Sequence, residues 1–161
     1  VRGCSGNVLR VSSNSFAGIA TWPWLSLSTF STDGMIPRTL LSKEKGGDGD
    51  PLDIIVLGPP AKRGQILKCK IIGVLYLLDG GEQDDKLIAV SNNSPFHSMN
   101  SIDNLNNHFK GITQIIELWF TNYKGYGKIE SKGFGNKKVA LDILSKAIEE
   151  CKLIHTKLRK E

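Results

Sequence analysis

Apolar positions in the first half of the chain follow the patterns of strands. Residues 52–57 form a short apolar run, bounded by Gly-Asp-Pro before it and Gly-Pro-Pro after it, which predicts a buried strand. Residues 66–78, rich in Ile, Val and Leu, predict one long strand that bends at Gly73, and residues 86–90 predict another. The Asp-Gly-Gly at 79–81 predicts the turn between these two strands.

Apolar positions in the second half follow the helical period. Ser101 is placed to cap a short helix that extends to Phe109. Residues 112–123 predict a second helix, because their apolar residues recur at i, i+3, i+4, i+7 and i+8. A Gly-punctuated loop follows, and Asn136 opens a third helix. The face predicted to be apolar in this helix consists of Val139, Ile143, Ala147, Cys151 and Ile154. Because strands precede helices, the order predicts an α+β fold without βαβ repeats.

Composition changes near residue 33. Residues 1–33 contain only three charged side chains, with no lysine and no glutamate. A signal peptide is disfavoured because Pro23 and several serines interrupt any apolar stretch. A transit peptide fits the acid-poor composition, and a segment foreign to the rest of the chain is slightly favoured over both. The sequence therefore predicts an unmatched segment at 1–33 and one domain at 34–161.

Charge and cysteine content narrow the classes of function. The net charge of +5 suits an anionic partner, but an ordinary soluble basic protein carries it equally well. No apolar run approaches the roughly 18 residues of a membrane span, so no membrane partner is expected. Cys4, Cys69 and Cys151 form neither a CxxC pair nor a zinc pattern. Buried thiols in a reducing compartment are expected, and with them a cytoplasmic location.

Two groups of carboxylates carry the candidate chemistry. Asp48, Asp50 and Asp53 lie within six residues at the start of the first predicted strand. Such like charges are unfavourable without a counter-ion, and Mg²⁺ prefers oxygen ligands of this kind. The alternative is two solvated turns, because Asp and Gly are common turn residues. An EF-hand loop is excluded, since Leu52 and Asp53 stand at its fifth and sixth positions. The second group follows the long strand and contains Asp79, Glu82, Asp84 and Asp85.

The first carboxylate group has a specific resemblance. Residues 48–54, Asp-Gly-Asp-Pro-Leu-Asp-Ile, resemble the signature of the family I inorganic pyrophosphatases. The segments around it resemble the same family in the same order: residues 35–40, 68–75, 79–90 and 120–124. The resemblance covers residues from about 34 to the last helix. It implies a small, closed, mainly antiparallel OB-like β-barrel with helices packed on it, assembled as a homo-oligomer.

The resemblance also implies roles for particular residues. Asp50 matches the carboxylate that orients or deprotonates the attacking water. The positions that match metal-binding carboxylates are Asp48, Asp53, Asp79 and Asp84. The positions that match groups holding pyrophosphate or the departing phosphate are Lys86, Tyr123 and Lys124. The implied reaction is hydrolysis of pyrophosphate to two phosphates with several Mg²⁺ ions, Mn²⁺ being the alternative, because metal ions activate water and neutralise phosphate charge.

The sequence departs from the family before Gly34. The family draws an acidic residue, a lysine–glutamate pair and an arginine from that part, and residues 1–33 contain neither lysine nor glutamate. Its Tyr-Pro-x-Asn-Tyr-Gly segment is replaced here by Thr-Phe-Ser-Thr-Asp-Gly, so that Asp33 takes the place of the second tyrosine. Missing or altered N-terminal strands would leave an open barrel edge. One alternative is therefore a homologue that binds metal and phosphate without turnover. A basic nucleic-acid-binding module is disfavoured, because no basic stripe with interleaved aromatics is present, so no nucleic-acid partner is expected.

Overall fold

The computed structural model describes residues 9–13, 30–41, 49–62 and 64–158. In chain order, its elements are β1 (Leu9–Ser13), β2 (Ser31–Met35), β3 (Asp53–Leu57), β4 (Ile66–Asp79), β5 (Glu82–Gln83), β6 (Lys86–Ser91), α1 (Ile102–His108), α2 (Ile112–Asn122), β7 (Ile129–Asn136) and α3 (Lys137–Leu158).

The strands form one mixed sheet in the order β1-β2-β3-β6-β4-β5, with β7 also paired to β4. The sheet curls far enough that β1 pairs with both β2 and β4. The β3–β6 pairing is parallel, and the other pairings in the described ranges are antiparallel. The prediction of an α+β fold with a mainly antiparallel sheet and packed helices is confirmed.

Helices cover the two faces of the sheet separately. One face packs against α1 and α2, through residues such as Ile55, Ile88, Leu105 and Ile116. The opposite face packs against α3, where Ala140, Leu144 and Ala147 are buried with the strand residues Ile54, Val56, Ile71, Val74 and Leu87 and with Ile36 and Leu52, which adjoin β2 and β3. Central strands are therefore buried on both faces, which explains why residues 54–57 and 87–90 are continuously apolar.

Most elements predicted from residue 52 onward are present. The bend in β4 is a shift of pairing register between Ile71 and Gly73. Gly73 is required there, because an added Cβ would lie 2.4 Å from Cγ1 of Ile102 and 2.7 Å from the backbone oxygen of Gly135. Ser101 caps α1, its Oγ accepting a hydrogen bond from the amide of Asn104 at 3.0 Å.

Three details of the sequence prediction are wrong. The stretch predicted as a loop contains the strand β7, which pairs with β4 on the side opposite β6. The buried face of α3 is formed by Ala140, Leu144 and Ala147. This face is rotated around the helix axis relative to the predicted face, and Val139, which was predicted to be buried, is 36% exposed. Ile115, predicted on the apolar face of α2, is 53% exposed.

The N-terminal part contributes two strands to the sheet. β1 lies within residues 1–33, and its four pairings with β4 extend from Leu9 with Cys69 to Ser12 with Ile66. β2 then pairs along the whole of β3. Within the described ranges, the side of the sheet expected to be open is therefore paired. No helix in these ranges is both long enough and apolar enough to cross a membrane.

Candidate active site

Strand starts place three charged side chains at one end of the sheet. Asp53 is the first residue of β3, and Lys86 is the first residue of β6. Because Ile54 pairs with Leu87 in the parallel β3–β6 ladder, Asp53 and Lys86 are neighbours on adjacent strands. Asp84 precedes β6 by two residues and is held by a hydrogen bond from its amide to the oxygen of Leu77 at 2.9 Å.

Lys86 joins the two carboxylates. Its Nζ donates to Oδ2 of Asp53 at 2.6 Å and to Oδ1 of Asp84 at 3.0 Å. Its side chain is only 3% exposed, and burial alone would lower its pKa. The charges of Asp53 and Asp84 outweigh this effect and raise the pKa of Lys86, so the ammonium stays charged. The ring centroid of Phe120 lies 5.6 Å from Nζ and covers it on the α2 side.

A second ion pair lies at the end of β4. Lys124 donates to Oδ2 of Asp79, and this hydrogen bond raises the pKa of Lys124. The Nζ of Lys124 is 5.6 Å from the ring centroid of Tyr123, which is the C-cap residue of α2. Burial raises the pKa of Tyr123, so its hydroxyl keeps its proton and can donate a hydrogen bond.

Asp84 connects the two ion pairs electrostatically. Burial raises its pKa, while the charges of Lys86 and Lys124 both lower it. The two pairs are also linked by contacts, because the ring centroids of Phe120 and Tyr123, which lie against Lys86 and Lys124 respectively, are 5.9 Å apart. The structure thus brings together six of the predicted residues: Asp53, Asp79, Asp84, Lys86, Tyr123 and Lys124.

The two remaining predicted residues, Asp48 and Asp50, precede β3 in the chain. The backbone of Asp50 is fixed to that of Leu41, whose amide donates to the oxygen of Asp50 at 3.1 Å, and its side chain is exposed. Asp48 lies outside the described residues. The roles assigned to Asp48 and Asp50 by resemblance stay predictions.

Asp33 is a site residue to which sequence reasoning gave no role. It lies in β2 opposite Ile55, on the face that also carries Asp53. The pKa of Asp33 is raised to about 7, mainly by burial. The charge of Lys86 lowers this pKa, and the charges of Asp53 and Asp84 raise it. Its Oδ1 is buried without a hydrogen-bond partner. The sequence feature that could have indicated Asp33 is its place in a family segment, at the position where the family pattern has tyrosine.

Asp85 has a structural role although it belongs to the second acidic group. It is 4% exposed, and its carboxylate accepts from Nε2 of Gln83 at 2.6 Å and from the amide of Leu77 at 3.3 Å. These bonds fix the turn that carries Asp84. The acidic turn therefore contains one buried residue that shapes it and one that faces the site.

The donor set fits a hard divalent cation by its chemistry. Asp33, Asp53, Asp79 and Asp84 offer only carboxylate oxygens, which Mg²⁺ and Ca²⁺ prefer. The buried Oδ1 of Asp33 is an acceptor that lacks a donor. In the described part of the chain, no three His, Cys, Asp or Glu side chains already lie close enough together to hold a metal ion. Lys86 supplies the positive charge between Asp53 and Asp84, so a cation there would compete with its ammonium group.

A cleft of about 320 Å³ lies elsewhere, between the loop after β2 and the C-terminal half of α3. Its lining consists of Arg38, Thr39, Leu40, Cys151, Ile154 and His155. None of the predicted site residues lines it, so it does not belong to the carboxylate site.

Comparison with known proteins decides the family. The family model described as inorganic pyrophosphatase matches residues 25–152, which is most of the chain. This chain belongs to the inorganic pyrophosphatase family. The match begins within the segment that the sequence prediction separated from the domain, and the boundary at residue 33 stays a prediction.

Individual pyrophosphatases agree in sequence. The soluble inorganic pyrophosphatase 1, chloroplastic, of Chlamydomonas reinhardtii is 34% identical over 137 residues, covering 78% of this chain and 49% of the relative. The inorganic pyrophosphatase of Helicobacter pylori is 37% identical over 123 residues, covering 72% of this chain and 66% of the relative. The chain therefore spans about half the length of the first of these relatives and just under two thirds of the second.

Solved pyrophosphatase structures agree in fold. The Helicobacter pylori inorganic pyrophosphatase superposes with a TM-score of 0.66 at 34% identity, covering 76% of this chain and 71% of that one. The apo vacuolar soluble pyrophosphatase of Trypanosoma cruzi gives a TM-score of 0.75 at 26% identity, covering 80% of this chain and 37% of that one. The fold described above is therefore shared with solved inorganic pyrophosphatases.

Proposed function

We propose that this chain hydrolyses inorganic pyrophosphate to two phosphates. The observation that carries the proposal is the convergence of Asp53, Asp84 and Lys86 with the Asp79–Lys124 pair at one end of the sheet. Alternating carboxylates and ammonium groups suit a substrate that binds as a complex of an anion with cations. Membership of the pyrophosphatase family supports the same substrate.

The cation is proposed to be Mg²⁺, with Mn²⁺ as the alternative. The pyrophosphatase family is metal-dependent, and the carboxylates that would hold the ions are Asp48, Asp53, Asp79 and Asp84. When bound, the ions supply a lowered pKa for water and neutralise charge on the phosphates. The side chains that would bind the substrate are Lys86, Lys124 and Tyr123. Lysine offers a point charge to phosphate oxygens, and the Tyr123 hydroxyl offers one hydrogen bond.

In the proposed reaction Asp50 orients the attacking water. The water oxygen forms a bond to one phosphorus while the bridging P–O bond breaks, and the second phosphate leaves on the bridging oxygen. One water proton stays on the attacking oxygen, and the other passes to Asp50 and from there, through solvent, to the departing phosphate, which restores the carboxylate. An exposed carboxylate in the loop before β3 is accessible to solvent water, which suits this role.

Phosphate release tests the proposal. The 161-residue chain is incubated with pyrophosphate and Mg²⁺, and phosphate is measured against a blank. We expect release that depends on Mg²⁺ and falls by roughly 10²–10⁴-fold in Asp50→Asn, the range for losing a general base. Asp142→Asn removes the same charge from the exposed side of α3 and should keep the full rate. Release no higher than the blank would favour a homologue that binds metal without turnover.

Three further properties stay proposals. The resemblance implies a homo-oligomer, which sedimentation analysis of the purified chain would test. A cytoplasmic location would be tested by imaging a tagged chain. Neither nucleic acid nor membrane is expected as a partner, and salt-dependent retention on DNA or RNA would contradict the first of these expectations.

A further inference from the structure

We propose that Asp33 is a further ligand of the divalent cation at this site, in a position where the family pattern has tyrosine. This inference deepens the proposed function and rests on it for the identity of the site. It concerns only the binding of the cation, which can be measured without turnover.

Strand register puts the Asp33 carboxylate on the correct face of the sheet. In the antiparallel β2–β3 ladder, Asp33 is opposite Ile55, and Asp53 is opposite Met35. Residues two apart on a strand share a face, so Asp33 and Asp53 are diagonal neighbours on one face. Diagonal Cα atoms lie about 7–8 Å apart, which lets two carboxylates approach one ion from either side. Lys86 on the next strand extends the same row.

The surroundings of Asp33 leave an acceptor without a donor. Its Oδ1 has no hydrogen-bond partner although it is buried, and a buried polar atom in that state costs free energy. The cation that acts on Asp33 is the ammonium group of Lys86, whose Nζ donates its hydrogen bonds to Asp53 and Asp84. A cation bound between Asp33 and Asp53 would satisfy the orphaned oxygen.

The charge balance also favours a cation over an anion at this point. The charges of Asp33, Asp53 and Asp84 all act on the ammonium group of Lys86, and the second ammonium group of the site, that of Lys124, is paired with Asp79. Four carboxylates thus share two ammonium groups, which leaves an excess of negative charge when all four are ionised. Tyrosine at position 33 would be a neutral donor and would not add to this excess. The change to aspartate therefore removes a donor for phosphate oxygen and adds an acceptor for metal.

Direct titration of Mg²⁺ or Mn²⁺ into the full chain tests the inference. Calorimetry should give an affinity that is weaker in Asp33→Asn by at least roughly 10–100-fold, because losing even an outer-shell partner of a metal ligand costs that much. Asp33→Tyr, which restores the residue of the family pattern, should weaken it in the same way. The matched control Asp142→Asn should bind like the parent. Far-ultraviolet circular dichroism and the unfolding midpoint of each variant show whether it is folded.

The outcomes separate this inference from the proposed function. Unchanged cation affinity in both folded Asp33 variants overturns the role of Asp33, whatever the rate of hydrolysis. Loss of affinity in both, in a chain that releases no phosphate, supports Asp33 as a ligand and overturns turnover instead. Equal loss of affinity in Asp142→Asn would also overturn the inference, because the effect would then be one of net charge.

Discussion

At the residue scale, the site depends on one buried ammonium group. Lys86 is 3% exposed, whereas its partners Asp53 and Asp84 are 37% and 20% exposed. Removing one member of a buried pair is costly, because it leaves the other charges without compensation. The ammonium group therefore holds two carboxylates together at the position where the reaction is proposed to need positive charge.

Replacing Lys86 by methionine tests how far the stability of the site depends on this ammonium group. Breaking a fully buried ion pair lowers the free energy of unfolding by about 3–5 kcal/mol. We expect a loss of about 3 kcal/mol or less for Lys86→Met, because Asp53 is partly solvated. Mg²⁺ should stabilise Lys86→Met more than the parent, because the two carboxylates then lack their ammonium partner. Urea unfolding with and without Mg²⁺ measures both effects. Lys132→Met, at a pair whose side chains are 51% and 63% exposed, should cost only about 0–1 kcal/mol. Equal costs for the two variants would contradict the dependence.

Cys69 provides a prediction about pH. Burial raises the pKa of its thiol from 9.0 to about 12. Between these values the folded protein keeps a proton that the unfolded chain has lost, so the free energy of unfolding falls as pH rises. Relative to Cys69→Ala, the free energy of unfolding of the parent should fall by about 1.4 kcal/mol for each pH unit above 9.

Urea unfolding of the parent and Cys69→Ala at pH 7, 8, 9.5 and 10 measures this difference. The difference in the free energy of unfolding between the two proteins should be the same at pH 7 and 8, and should become smaller above pH 9. A gap that stays constant to pH 10 would show that the thiol ionises in the folded protein as readily as in the unfolded chain.

At the element scale, the long strand β4 organises the site. It pairs with β1, β5, β6 and β7, and it packs against α3. Its bulge at Gly73 lets the strand curve around the core while Asp79 at its end reaches Lys124. β4 therefore carries Asp79 to the end of the sheet at which β6 begins with Lys86.

Gly73→Ala should disturb this curvature. An added Cβ would meet Ile102 at 2.4 Å and the Gly135 oxygen at 2.7 Å, so α1 or β7 must shift. Overpacking of this kind costs about 1–3 kcal/mol, measured as a lower midpoint in urea unfolding. Ser145→Ala, at an exposed position of α3, should change stability by less than about 0.5 kcal/mol. No difference between the two variants would show that the bulge tolerates a side chain.

Elements with a strong period could be predicted from the sequence, and those set by tertiary pairing could not. The apolar runs of β3, β4 and β6 and the capping residue Ser101 carry local signals. β7 reads as Ile-Glu-Ser-Lys-Gly-Phe-Gly-Asn, with two glycines and two charges, and it is a strand because it pairs with β4. β1 alternates apolar and polar residues only from Leu9 to Ser12, which is too short to predict a strand, and its pairing with β4 defines it.

Site residues could be predicted from the sequence only where they are close together in the chain or belong to a family motif. The carboxylate run and the acidic turn gave Asp53, Asp79 and Asp84, and family resemblance gave Lys86, Tyr123 and Lys124. Asp33 lies 20 residues before Asp53 in the chain and meets it only through the β2–β3 pairing. A role that depends on diagonal neighbours across strands leaves no trace in linear spacing.

At the scale of the whole molecule, charge is distributed unevenly. The chain has a net charge of +5, whereas the site is rich in carboxylates. A cation that binds only the folded protein shifts the folding equilibrium by mass action. Because the carboxylates of the site repel one another electrostatically, we expect the stability of the protein to depend on divalent cations.

Thermal unfolding should report this dependence. A cation at a hundred times its Kd adds about 2.7 kcal/mol, which corresponds to a rise in Tm of roughly 5–10 °C for a chain of this length. Scanning calorimetry with Mg²⁺, and again after EDTA, measures the shift. NaCl at matched ionic strength should give a much smaller change. An equal shift with NaCl would mean that general screening, rather than binding, is responsible.

The pairing of β1 with β4 has a consequence for how the chain folds. Leu75 and Lys86 pair across a connection of about ten residues, so the β4–β6 hairpin can form early. Leu9 pairs with Cys69, about sixty residues away, so this contact requires the closure of a much longer loop. Until β1 arrives, that edge of β4 is open to the same edge of another chain. Closure by β1 is a first-order event and pairing between unfolded chains is second-order, so dilution during refolding should favour the native fold of each chain over aggregates.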